Sequence, residues 1–204
     1  MPRAANPDLE RRILDAAQQL WVQGGEKSLT MRAVARAAGT TTPTVYQRFQ
    51  NRRDILRGVI LRIRDGVIQM LDQASSPEEM CEQYVQWGLH HPHEYDLFFT
   101  HSYEILGAVQ RSAKSFHEAY PGRELVRKKL AEALGGSPED HTELHLALWA
   151  TLHGAIMLLN SKTVHGTHVR ELRKSCLAAV KLILRDRATF NQKITAEKKT
   201  QFSR

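Results

Sequence analysis

Cysteine is nearly absent from this sequence. Cys81 and Cys176 are the only two in 204 residues, and they stand far apart in no C-x-x-C pattern. Neither a disulfide framework nor a thiolate metal site organises the chain, and buried reduced thiols are the expectation. No run approaches the ~20 apolar residues of a membrane span. The opening MPRAANPDLE lacks the apolar centre of a secretory signal, so the expectation is a cytoplasmic protein with no membrane partner. No segment alternates convincingly at period two, as a half-buried strand would. There is no G-x-S-x-G, no phosphate loop, no G-x-G-x-x-G and no paired carboxylates in an identifiable setting. Nothing therefore points to an enzyme or to a cofactor. His90-His91-x-His93 and His141-x-x-x-His145 have spacings a transition metal tolerates, but neither Cys nor H-E-x-x-H supports them, and no metal site is assigned.

What is present is helical periodicity throughout, which makes the expected fold all-α. The organisation reads as an N-terminal three-helix helix-turn-helix domain (1–51), a C-terminal helical ligand-binding and dimerisation domain (52–187), and a polar, basic tail (188–204) expected to fray. A first helix should run from Asp8 to Gln23 with Leu9, Ile13, Ala16, Ala17 and Leu20 buried, stopped by Gly24-Gly25. Arg3, on the arm before it, is a weak candidate for DNA contact.

Thr30–Phe49 is the stretch with the most specific pattern. Thr30 is a side-chain oxygen cap, and Val34 and Ala37 share a face. Gly39 sits where a left-handed residue ends a helix. Thr40–Thr42 offer capping oxygens to a second helix, whose first turn suits Pro43. Two short helices around such a turn form a helix-turn-helix, whose second helix can enter the DNA major groove. Its outward residues Thr41, Thr42, Thr44, Tyr46, Gln47 and Arg48 are all hydrogen-bonding, while Val45 and Phe49 point to the core. Small hydroxyls approach phosphates and base edges closely, Gln can read adenine, and Arg can read guanine or clasp a phosphate.

Charge follows the same division. Residues 1–60 carry a net +5, residues 61–185 carry −1, and residues 186–204 carry +3. A local basic excess is what phosphate neutralisation requires.

Thr30-x-Arg32-x-x-Ala35-x-x-Ala38-Gly39, followed by Pro43-Thr44-x-Tyr46-x-x-Phe49-x-Asn51-Arg52, resembles the DNA-binding domain of the tetracycline-repressor (TetR) family from about Ile13 through Leu56. Two positions depart from the family pattern. Arg52 stands in place of the usual Lys, keeping the charge with different geometry, and Thr40 replaces an apolar residue. The resemblance implies a homodimer that binds double-stranded DNA as an inverted repeat and releases it on binding an inducer. Arg32, Thr42, Pro43, Gln47 and Arg48 are the candidates for base-edge contacts. Thr30, Thr44, Tyr46 and Arg52 are those for phosphate contacts, with Thr41 and Asn51 on the same surface.

Beyond Phe49 a long helix is expected over Arg52–Gln73, then one from Ser76-Pro77 to His90. Short helices should follow over Glu94–Phe99 and Tyr103–Tyr120, with Leu125–Leu134 helical after a break at Pro121-Gly122. Tyr84, Trp87, Phe98, Phe99, Tyr103, Trp149 and His153 are the candidate ligand-binding residues. They combine rings with a few polar tips, as pockets for small apolar or aromatic ligands do, although plain aromatic core remains open for each. The helix over Leu144–Leu159 is apolar nearly all round and needs cover on more than one side. With the helix His168–Arg187 it gives the candidate dimer interface: Leu144, Leu148, Leu152, Ala155, Leu159, Leu172, Cys176, Ala179, Val180 and Ile183. A second reading stays open, an all-helical ligand-binding or scaffolding protein whose basic head binds a protein partner.

Overall fold

The structure is a computed structural model that describes residues 7–112 and 120–186. Among the described residues there is no strand. The helices are α1 (Pro7–Ser28), α2 (Met31–Ala37), α3 (Thr42–Tyr46), α4 (Arg52–Asp72), α5 (Pro77–His90), α6 (Pro92–Ser112), α7 (Pro121–Leu134), α8 (Thr142–Asn160) and α9 (Thr167–Arg185), with a 3-10 turn at Pro138–His141 before α8. The tail 188–204, Arg3 and the segment that would complete the Tyr103–Tyr120 helix lie outside the described residues.

Two compact units divide the chain. The described residues up to Gly66 and those of α6 form the first, while Val67–His90 and the described residues from Tyr120 onward form the second. The division differs from a boundary at 51/52. Ile55, Leu56, Val59 and Ile60 in the early turns of α4 are buried, and the contacts of that stretch belong to the first unit.

In the first unit, Ile13, Leu14, Ala16, Ala17 and Trp21 of α1 are buried, whereas Leu9 and Leu20 are only half-buried. The buried stripe is therefore turned toward Leu14 and Trp21. Trp21 is anchored twice, its Nε1 donating to the His93 carbonyl at 3.2 Å and its ring meeting His101 edge-on at 5.3 Å. A kink falls at Gly25 (φ 61), as the glycine pair suggests, yet helix resumes to Ser28. The Ser28 hydroxyl donates to the carbonyls of Leu20 and Gly25 across the break. Instead of two short helices, α6 is one continuous helix to Ser112. No Gly or Pro interrupts Thr100–Ser102, and the Thr100 hydroxyl is satisfied inside the helix by Asp96 Oδ1 at 2.9 Å.

In the second unit, α8 packs against α5 and α9. Leu144, Leu148, Leu152, Ala155 and Ile156 meet a core that includes Met80, Cys81 and Val85 of α5 and Cys176, Val180 and Leu184 of α9. Burying a side chain such as Leu or Ile stabilises by roughly 1.5–3 kcal/mol, so this stripe is a principal source of the unit's stability. Asn160 Nδ2 donates to the Gly88 carbonyl at 3.0 Å and pins the far end of α8 to α5. α7 begins at Pro121 itself, since proline suits a first helical turn. Its buried Glu124 and Arg127 pair at 3.4 Å, and Arg127 also holds Glu139 at 2.9 Å and the Pro138 carbonyl at 3.1 Å.

Pro138–Asn160 is, by length and composition, long and apolar enough to cross a membrane, with a mean hydropathy of 1.2. Its first turns carry Glu139, Asp140 and Glu143, so the unbroken apolar stretch is shorter than a membrane span. The apolar character has another use here, because one face of α8 forms the core of the second unit.

Candidate functional site

The helix-turn-helix is set by three local devices. Thr30 Oγ1 accepts from the Ala33 N–H at 3.1 Å and starts α2. Gly39, at φ +63, turns the chain after α2, while Thr40 N donates to the Ala35 carbonyl at 2.9 Å. Thr41 then caps α3: its Oγ1 accepts from Thr44 N at 3.3 Å and lies 2.8 Å from the Thr44 hydroxyl. Val34, Ala35 and Ala38 form the inner face of α2, and Ala37 is exposed rather than buried beside Val34. Val45 is fully buried and Phe49 nearly so, which fixes the roll of α3.

That roll decides what faces outward. Pro43, Tyr46 and Gln47 are exposed, with Tyr46 54% accessible, and Thr42, Thr44 and Arg48 are half-buried. The ordered helix ends at Tyr46, so Gln47 is its C-cap and Arg48 lies in the following turn. Arg32 projects from α2, exposed. Neither Arg32 nor Arg48 has an ion pair among the described residues. Their charges face solvent rather than an acid.

Two of the candidates do structural work as well. Asn51 Oδ1 accepts from Asp54 N at 3.0 Å, and Asp54 Oδ2 accepts from Gln50 N at 3.2 Å, a reciprocal cap that starts α4. Arg52 pairs with Glu26 Oε1 at 2.5 Å and also donates to the Glu26 carbonyl at 3.3 Å. Both side chains are about half exposed, so the pair contributes only about 0–1 kcal/mol. Sequence reasoning missed Glu26, because the pairing spans 26 residues and no local spacing announces it.

The second unit holds a small apolar pocket of about 60 Å³, partly open to solvent. Leu71, Met80 and Cys81 form one side, Leu148 and Leu152 another, and Tyr84, Val126, Trp149 and His145 complete it. Of the candidate ligand-binding residues, only Tyr84 and Trp149 line it. Trp87 lies beside Tyr84 with ring centroids 6.1 Å apart, and His153 lies against Trp149 at 5.5 Å. Phe98 and Phe99 do not belong to this cavity. They sit on α6 in the first unit, where Phe99 packs on buried Tyr95 at 4.5 Å and meets Phe98 edge-on at 5.0 Å. Aromatic composition alone cannot distinguish these two clusters. The side chain of Tyr103 lies outside the described residues.

His145 is the cavity residue that the sequence reading weighed only as a metal ligand. It is 7% exposed, and its Nε2 has no hydrogen-bond partner among the described residues. Burial, with Arg123 and Arg127 nearby, pushes its imidazole down to about 4, so it is neutral at neutral pH. The available signal was a histidine inside the most apolar helix, a signal that His153 shares. His141, one turn earlier, is occupied by the Gly135 carbonyl at 2.8 Å from Nε2. Among the described residues no His, Cys, Asp or Glu cluster could hold a metal.

Known proteins share both units. Residues 13–59 match the family described as bacterial regulatory proteins, tetR family, and residues 78–180 match the tetracyclin repressor-like C-terminal domain. The second match alone spans half the chain. This chain belongs to the TetR family. An uncharacterized HTH-type transcriptional regulator of Mycobacterium tuberculosis is 26% identical over 153 residues, covering 72% of this chain and 67% of its own. A TetR-family transcriptional regulator from Streptomyces coelicolor superimposes with a TM-score of 0.58 at 19% identity, covering 86% of this chain and 97% of the other. The multidrug binding protein EbrR, crystallised with imidazole, does so with a TM-score of 0.58 at 20% identity, covering 90% and 93%. The chain is thus a TetR-family transcriptional regulator and not an enzyme.

The apolar faces of this TetR-family chain need one correction. Leu144, Leu148, Leu152, Ala155, Cys176 and Val180, read as interface, are buried within the chain itself. Their stripe on each helix is the one turned to its own core, so those side chains are already covered. Leu159, Leu172, Ala179 and Ile183 are half-buried. The large apolar side chains left in water on α8 and α9 are instead Leu146, Met157, Leu158, Val169 and Leu182, between 40% and 52% exposed.

Proposed function

We propose that this regulator is a cytoplasmic homodimeric repressor that binds an inverted-repeat operator and leaves it when a small molecule occupies the second unit. The observation that carries the reading is the outward set on the turn-locked α3: Pro43, Tyr46 and Gln47 exposed, Thr42, Thr44 and Arg48 beside them, and no acid paired to Arg32 or Arg48 among the described residues. A helix this short reaches only a few base pairs, so a useful operator requires two heads and two half-sites. Exposed Leu146, Met157 and Leu158 on α8, with Val169 and Leu182 on α9, supply an apolar face for the second copy. Arg32, Thr42, Pro43, Gln47 and Arg48 are assigned to base edges, and Thr30, Thr44, Tyr46 and Arg52 to phosphates, with Thr41 and Asn51 holding α3 and α4 in place. EbrR was crystallised with a small molecule, which supports a ligand role for the apolar cavity here.

Selection of bound sequences from random duplex DNA tests the reading and should return a palindrome. Arg32→Ala or Arg48→Ala should then cost about 1–3 kcal/mol in preference for that palindrome if the contact is bidentate. Equal loss on cognate and scrambled DNA in a gel-shift titration demotes the residue to a phosphate clamp. Failure to enrich any palindrome, with a monomer at micromolar concentration, overturns the proposal.

A further inference from the structure

The helix-turn-helix and its flanks hold almost no negative charge. Glu26 is the only Asp or Glu between Asp15 and Asp54, a stretch that carries six Lys and Arg. That single carboxylate sits on Arg52, the arginine assigned above to a phosphate. Arg52 Nη2 donates to Glu26 Oε1 at 2.5 Å, and Nη1 donates to the Glu26 carbonyl at 3.3 Å. Both terminal nitrogens of the guanidinium thus turn to one residue. They form one of the edges with which arginine grips a phosphate through two parallel N–H bonds. Glu26 is held in place by the fold around it. The kink at Gly25 (φ 61) redirects the last turn of α1, Ser28 bonds back to Leu20 and Gly25 across it, and Leu29 is buried in the core three residues on. Both partners belong to the first unit. Their side chains nevertheless stay open to solvent, 44% for Arg52 and 54% for Glu26. A phosphate that approaches the guanidinium there meets the carboxylate as a like charge a few ångströms away.

We propose that Glu26 competes with the DNA backbone for Arg52, and that its charge holds DNA affinity below what the basic head could otherwise reach. In the free protein the carboxylate neutralises the arginine, and on DNA a phosphate must displace it or share the cation with it. Phosphate contacts carry no sequence information, so Glu26 sets affinity and salt dependence rather than base preference. This rests on the reading of Arg52 as a phosphate contact.

The test titrates the full chain onto two duplexes at several salt concentrations, followed by fluorescence anisotropy. One duplex is the palindrome returned by selection and the other a scrambled sequence of equal length. Glu26→Gln keeps the shape of the side chain and removes its charge. It should tighten binding to both duplexes by about three- to fivefold per head, the scale of an exposed ion pair. The slope of log affinity against log salt should steepen by about 0.9 per head, one further phosphate neutralised. Adding Arg52→Ala to Glu26→Gln should remove that extra slope. Asp15→Asn is the charge control: Asp15 pairs with Arg62 at 2.5 Å with similar exposure, and Arg62 lies about 15 Å farther along α4 than Arg52. It should leave the slope unchanged. Melting temperatures of the single variants should stay within about 4 °C of wild type, since each loses only a surface pair. Glu26→Ala takes the place of Glu26→Gln should the latter fail to fold. Unchanged or weaker binding by Glu26→Gln, an equal gain from Asp15→Asn, a gain confined to the palindrome, or a slope that stays steep without Arg52 would each overturn the proposal. Wild-type chain that binds neither duplex at low salt removes the DNA-binding reading and this proposal together. Wild-type binding with an inert Glu26→Gln removes this proposal alone.

Discussion

Replacing Gly39 by alanine isolates a backbone effect, because a Cβ built at this position meets nothing within 4 Å. The only obstacle is φ +63. An L-residue in that region costs about 1–2 kcal/mol, and the loss of glycine's freedom in the unfolded chain returns about 0.4–1 kcal/mol. Gly39→Ala should therefore destabilise by roughly 0.5–1 kcal/mol. Gly39→Val should cost more, because a β-branched residue tolerates positive φ least, and Gly39→Asn less. The control is Gly66→Ala in α4, where a Cβ also meets nothing and φ is helical. There the same substitution should stabilise by roughly 0.5–1 kcal/mol. Equilibrium urea unfolding of the four variants reads these differences, and a thermal melt should show shifts of about 2–4 °C per kcal/mol for a chain of this size. Opposite signs for the two alanines are the decisive outcome. Were Gly39→Ala as stabilising as Gly66→Ala, or Asn no better than Val, the left-handed turn would not be what positions α3.

Other expectations follow from the same structure. Met157→Lys or Leu182→Arg should shift the sedimentation coefficient to that of a monomer and abolish palindrome binding while leaving the helical circular dichroism intact; a persistent dimer would place the interface elsewhere. The Cys81 thiol is pushed up to about 12, first by burial and then by Glu78, Cys176 and Glu82. At pH 8 about one in ten thousand molecules carries the thiolate, so native protein should alkylate at Cys81 about a thousandfold more slowly than a free thiol, and ordinary rates in a mass-spectrometric time course would contradict its burial. His145 carries a proton below about 6.5 when unfolded but only below about 4 when folded. Acid therefore favours the unfolded chain, and stability should fall as pH drops from about 6.5 to about 4, by up to ~3 kcal/mol. His145→Leu should flatten that part of the urea-stability profile, and an unchanged slope would show that the ring is solvated.

Helix identity and the turn between α2 and α3 were legible without coordinates because their causes are local. Thr30, Gly39, Thr41 and Pro43 each act within four residues of themselves, and Val45 with Phe49 needed only one helical turn to declare an inner face. The continuity of α6 was misread although no breaker residue stands between Phe99 and Tyr103. Arg52 showed its charge in the sequence but not its partner, since Glu26 comes beside it only after α1 and α4 pack.

Sequence alone determined that this chain is helical and where the helix-turn-helix lies, because capping, glycine geometry and periodicity are properties of neighbouring residues. Only the tertiary structure decided which side of α8 and α9 is core, which aromatics surround the cavity, and that His145 rather than His153 is the ring buried without a partner. Those outcomes depend on which helix lies against which. An apolar helix with hydrophobic residues on nearly every side is compatible with several such packings, and burial selects among them through contacts remote in the chain.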